Sequence, residues 1–194
     1  GTTYLSSNLN FSATPAFASL AATGTVAPYT LLSTNGGNKV AVVGVTTPLL
    51  SSISSPGAVN LTAGWSAGNT EVQNLQALVP FVQQQIDAAR AQGAGSVIVI
   101  SHLQNAANER DVLIPGLRGV DVVLSGGGHE LMADADDALI PNDVRAITGL
   151  PQTVTDADGK GVAMVTSNFG NRYVGELNLT LDDTTGVVTA INGA

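Results

Sequence analysis

The 194-residue sequence has no cysteine, so disulfides and thiolate metal sites are excluded. Basic residues are scarce: seven Lys and Arg stand against fifteen Asp and Glu, a formal net charge of −8. That balance repels a nucleic-acid polymer and an anionic membrane surface, and neither is expected as a partner. Small anions meet the same repulsion, so a phosphate-handling site here needs cations or a helix N-terminus to reverse the local field. No apolar run approaches the ~18 residues of a membrane span. The first eleven residues lack the basic start and apolar run of a signal peptide, as a mature or truncated chain also would. What is present is 44% apolar residues with only 11% charged, enough to offset ordering entropy by burial. The length suits one domain, 1–194, with a sizeable core. Abundant Thr, Ser, Asn and Gly resemble the composition of exported bacterial proteins, so a secreted or periplasmic location is expected.

Residues 39–46 (KVAVVGVT), 96–101 (SVIVIS) and 120–124 (VDVVL) are near-continuous β-branched runs and read as buried strands. Residues 4–8 and 27–33 read as further strands. The Asn35-Gly36-Gly37-Asn38 turn predicts a hairpin into the 39–46 strand. The spacing of Leu75, Leu78, Val79, Val82, Ile86 and Ala89 predicts a helix over 70–92. Thr70 with Gln73 fits a capping box, and Gly93 fits the stop. Pro80 should kink this helix or mark the first turn of a shorter one. A short helix is expected over 108–117, a loop over 48–67, and an irregular acidic stretch over 133–150. Residues 162–167, 173–182 and 187–192 read as closing strands. The alternation of strands and helices implies crossover units and an α/β fold with a parallel or mixed sheet and flanking helices.

The two histidines, His102 and His129, each follow directly on a buried strand. In open α/β sheets ligands bind outside the carboxyl ends of the strands, so both imidazoles are expected on one rim. Neutral imidazole is a common metal ligand, and glycine-rich backbone allows close approach. Two imidazoles do not complete a catalytic metal site, which usually takes three or more protein ligands.

Ser101-His102 after a buried strand, followed by the run from Gly119 through Val120, Asp121, Val122, Val123, Leu124, Ser125, Gly126, Gly127 and Gly128 to His129, resembles the calcineurin-like metallophosphoesterases in their 5′-nucleotidase branch. Residues 4–9 (YLSSNL), 40–47 and 162–182 match further strands of that family in the same order. The resemblance implies half or more of a four-layer α-β-β-α sandwich. It also implies two divalent metal ions (Zn, Mn, Fe or Ca) that activate a water for in-line attack on phosphorus. His102 would be a ligand of one metal and His129 a ligand from the glycine-rich loop. The function implied is a metal-dependent phosphoester hydrolase acting on a nucleotide or another phosphomonoester.

The sequence departs from the family at several points. Counting without gaps from Asp121 puts His129 on the second histidine of the family's Gly-His-x-His and Gly127 on the first. With one inserted glycine, His129 falls on the first and Leu131 on the second. Gln104 stands where a glycine is usual. The Asp-x-His, Gly-Asp and Gly-Asn-His-Glu motifs, which supply the bridging aspartate and catalytic histidine, do not occur. A missing N-terminal half or precursor segment is expected to supply them, with no catalytic residue and no turnover in this chain alone. The alternative is a catalytically dead binding or structural extracellular module. An open apolar face would favour self-association.

Elsewhere the expectations are ordinary. Asp134, Asp136 and Asp137 read as a solvated acidic loop, with a cation site the lesser alternative. Asp156, Asp158 and Gly159 read as a hairpin turn. Arg172 reads as a surface residue and Trp65 as a cover for the core edge.

Overall fold

Every second residue of the Val/Ile runs, Ala41, Val43 and Val45 in one and Val97 and Val99 in the next, lies in the core, and that spacing sets the architecture. The computed structural model describes residues 2–193. After a short helix α1 (Pro15–Ala22), the sheet strands are β1 (Tyr29–Ser33), β2 (Lys39–Thr46), β3 (Ala94–His102), β4 (Val122–Gly126), β5 (Gln152–Thr155) and β6 (Gly161–Val165), and helix α2 (Glu71–Ala91) lies between β2 and β3. The sheet order is β5-β6-β4-β3-β2-β1. The four central strands are parallel, and both edge strands are antiparallel to their neighbours. The mixed α/β class read from the sequence is the one observed.

One face of the sheet is covered by helices. Ala41, Val43 and Val45 of β2, Val97 and Val99 of β3 and Val123 of β4 share a core with Leu75, Leu78, Val82, Ile86 and Ala89 of α2. Fully burying one of these Val, Leu or Ile side chains contributes ~1.5–3 kcal/mol. The helical stretch 106–116, which includes a π turn over Glu109–Leu113, adds Leu113 and Ile114 to the same core. The other face is more open: Ile100 is 36% and Leu124 39% exposed.

Helix α2 begins with the expected capping box, the Gln73 amide donating to the Thr70 hydroxyl and the Thr70 amide to the Gln73 side chain. Pro80 does not end it, because Pro80 and Gln76 are both exposed. Water can take the bond that the Gln76 carbonyl loses.

Several strand boundaries differ from the sequence reading. The expected strand over 27–33 is split at Pro28: Val26–Ala27 pairs with Tyr4–Leu5, and β1 starts at Tyr29. The loop over 48–67 holds a helical turn, Leu50–Ile53, and a short strand, Asn60–Leu61, paired with Leu9–Asn10. The expected 173–182 strand shortens to β7 (Leu177–Leu181), because the Tyr173 hydroxyl is engaged by the Ile140 amide and Asp143 instead. β7 pairs with β8 (Val188–Gly193) in a hairpin outside the main sheet. Asn38 ties the tip of that hairpin down, donating to the carbonyls of Asp182 and Asp183.

Candidate functional site

The parallel register brings three chain segments level at the carboxyl end of the sheet. Thr46 of β2 pairs with His102 of β3, and His102 pairs with Gly126 of β4. His129 lies three residues beyond Gly126, so both histidine-bearing loops leave neighbouring strands at one end of the sheet. The rim is built from polar bonds that fix its backbone. Asn8 is fully buried; its side chain donates to the Thr46 carbonyl at 2.8 Å and accepts from the Thr46 amide at 3.0 Å. The Ser6 and Thr46 hydroxyls meet at 2.8 Å.

His102 is exposed, and its imidazole packs over Gly127. A Cβ at Gly127 would lie 2.8 Å from His102 Nε2 and 2.9 Å from Gln104 Nε2. Gly127 also has φ +84°, which glycine adopts without penalty. His129 is exposed too, with its ring 4.9 Å from that of Phe169 and tilted 42° to it. Phe169 had no signal in the sequence, because an aromatic in a polar loop reads as an incidental surface residue. Glu130 folds back over Gly128 and accepts from the Ala106 amide at 3.2 Å.

Beneath the rim, Glu109 is fully buried and accepts from the Ser101 hydroxyl. Burial raises its carboxyl above the ordinary range; the Ser101 and Ser125 hydroxyls and nearby backbone amides oppose the shift. Ser101 and Ser125 are register partners on β3 and β4, so Glu109 lies against the two strands that carry the histidines. Sequence reading missed Glu109, since an acid in a helical segment ordinarily faces water.

The remaining residues singled out in the sequence lie elsewhere or do other work. Asp134 accepts from the Leu150 amide and Asp137 from the Asp134 amide, so the acidic stretch organises its own loop. Asp156 accepts from the amides of Asp158 and Lys160, closing the expected hairpin turn. Arg172 pairs with Asp143 at 2.7 Å rather than standing free on the surface. Trp65 is 52% exposed and does not cover the core edge; it lines a surface cavity of ≈ 250 Å³ with Pro56 and Val59.

The donor set falls short of a divalent metal centre. Among the described residues, no group of three or more His, Cys, Asp and Glu could hold a metal ion. The rim offers imidazoles of suitable chemistry but too few ligands to complete a catalytic site. No helix among the described residues is long and apolar enough to cross a membrane.

No family model matches the chain. It is 31% identical over 156 residues to a 5′-nucleotidase of Diplobatis ommata, covering 80% of this chain and 24% of that protein. It is 26% identical over 167 residues to a snake venom 5′-nucleotidase of Naja atra, covering 86% of this chain and 28% of that protein. Among solved structures, the 5′-nucleotidase precursor from Thermus thermophilus matches with a TM-score of 0.74 at 25% identity, over 98% of this chain and 32% of that one. The NAD nucleotidase of Haemophilus influenzae shares the fold, with a TM-score of 0.69 at 20% identity over 98% of this chain and 29% of that one. The chain therefore has a fold found in nucleotide hydrolases. Within that class it is related to the 5′-nucleotidases, and it spans about a quarter of the length of the curated relatives it matches.

Proposed function

We propose that this chain contributes one rim of a metal-dependent phosphoester hydrolase that acts on a nucleotide or another phosphomonoester, in a secreted or periplasmic setting. The observation that carries this reading is the register Thr46–His102–Gly126, which levels the two histidine loops at the carboxyl end of parallel strands. The similarity to 5′-nucleotidases over 80% of the chain supports the substrate class. In this reading His102 ligates one divalent ion and His129 contributes a second imidazole from the glycine-rich loop. Such ions neutralise phosphoryl charge and generate hydroxide when bound. The remaining ligands come from outside these residues, so turnover belongs to a longer protein and not to the 194 residues by themselves.

A second reading is favoured by Gly127, which is bare where an ungapped count puts a family histidine. It makes the chain a binding or structural module that kept the fold without the chemistry. One experiment separates the two. The full-length gene product is assayed for phosphate release from a nucleoside monophosphate, with and without chelator, and its metal content is measured. The hydrolase reading expects chelator-sensitive release and a loss of at least about tenfold in metal affinity for His102→Ala, a ligand loss worth about 1.4 kcal/mol or more. Absence of release with every divalent metal supplied sinks it in favour of the inactive module.

A further inference from the structure

Gln104 is the rim residue whose conformation is hardest to explain by folding alone. It follows Leu103, which is fully buried and fixes the chain at the end of β3. Its own backbone has φ +72°, a left-handed conformation that a glycine holds freely and a glutamine does not. Strain of this kind persists where the surroundings enforce it, and it concentrates at functional sites.

The side chain shows what the strained backbone achieves. Gln104 Nε2 and His102 Nε2 converge on the bare face of Gly127, 2.9 and 2.8 Å from the point where a Cβ would lie. The two nitrogens are therefore no further apart than those distances laid end to end. Any side chain at Gly127 would displace one of them, so the glycine and the glutamine are a matched pair. One Glu130 carboxylate oxygen accepts from the Ala106 amide at the start of the 106–116 helical stretch, and the other lies over Gly128 without a partner. In a chain of net charge −8, a carboxamide supplies N–H donors without adding to the negative field.

We infer that Gln104 is a substrate-contacting residue of the rim, its carboxamide donating to an oxygen of a phosphoryl group beside the His102 imidazole. The inference rests on the hydrolase reading for the identity of the substrate, and on the geometry at Gly127 for the residue. A tetrahedral oxyanion can accept from the Gln104 carboxamide, and the planar amide fixes the direction of approach.

The test uses the full-length gene product as wild type, Gln104→Ala and Gln104→Gly. The readouts are inorganic phosphate affinity by calorimetry, KM and kcat for a nucleoside monophosphate, and thermal melting. Gln104→Gly relieves the left-handed backbone, so its Tm is expected to equal or exceed that of the wild type. Both variants are expected to bind phosphate about tenfold more weakly and to raise KM by a similar factor, the scale of one lost hydrogen bond. Stability and affinity moving in opposite directions is an outcome that a purely structural role would not give. Phosphate affinity in Gln104→Gly equal to that of the wild type overturns the assignment, as does a wild type that binds no phosphate. Hydrolysis absent from the wild type with phosphate binding still lost in both variants sinks the hydrolase reading and leaves Gln104 standing. Robust hydrolysis with KM and phosphate affinity unchanged in both variants does the reverse.

Discussion

Arg90 and Asp121 meet at 3.0 Å at the end of the sheet opposite the histidines, with Asp121 only 2% exposed. The same carboxylate accepts from Lys160 at 2.6 Å and from the Val97 amide at 2.9 Å. Arg90 also donates to the carbonyls of Ala94, Gly95 and Gly119. One buried acid thus joins α2, β3, β4 and the turn before β6. Asp121→Ala is expected to lower unfolding free energy by about 3 kcal/mol, the usual cost of breaking a buried pair from one side. Lys160→Ala, at a half-exposed amine, is expected to cost less than about 1 kcal/mol. Urea unfolding of the two variants measures the difference, and equal effects would contradict the central place given to Asp121.

Glu109 makes stability depend on pH in a direction opposite to most carboxylates. Burial raises its folded value above the ordinary one, which the unfolded chain keeps. Between those two values the folded form retains a proton that the unfolded form has released. Its contribution is therefore complete below the ordinary value and is lost as pH rises through the folded one. Glu109→Gln, which keeps the shape and cannot ionise, should gain on the wild type as pH increases from about 4 to about 8. A stability difference that stays flat across that range would count against a buried, proton-holding Glu109.

Gly44 has no room for a side chain. A Cβ there would overlap the Leu5 carbonyl oxygen, which is backbone and cannot rotate aside. Gly44→Ala is expected to cost about 1–3 kcal/mol and to push the Tyr4–Leu5 strand off the sheet. Hydrogen exchange locates the damage. The Ser7 amide, which donates to the Gly44 carbonyl at 2.8 Å, should lose protection while the β3 amides keep theirs.

At helix α2, Thr70→Ala removes the capping hydroxyl and should cost about 1 kcal/mol. Pro80→Ala should act in the opposite direction, since it restores a backbone donor in the helix interior. Thermal melting of the two single variants reads both signs.

The parts of the fold legible in the sequence are those where one physical signal dominates. The valine-rich runs that became β2, β3 and β4 are buried, and their order with α2 between the first two already specified crossover connections. The Thr70–Gln73 box and the apolar spacing from Leu75 to Ala89 carried the helix. α1 was not legible: none of its residues is buried, so it has no apolar stripe to read. β5 was missed because Gln152, Thr153 and Thr155 look like loop, although Val154 faces the core. The site divides in the same way. The two histidines were visible as the only ones in the chain and as strand-end residues. Glu109 and Phe169 became visible only when tertiary contact put one beneath Ser101 and the other against His129.

Ser101 and His102 point to opposite faces of β3, and Glu109 holds the first of them inward. A strand has a side-chain period of two, so sliding β3 by a single residue would exchange their places. The imidazole would then be driven into the core against a buried carboxyl, and a serine would stand at the rim. Such an error has no partial form. The Glu109–Ser101 contact therefore exists in only one of the two registers, the one that carries the imidazole outward.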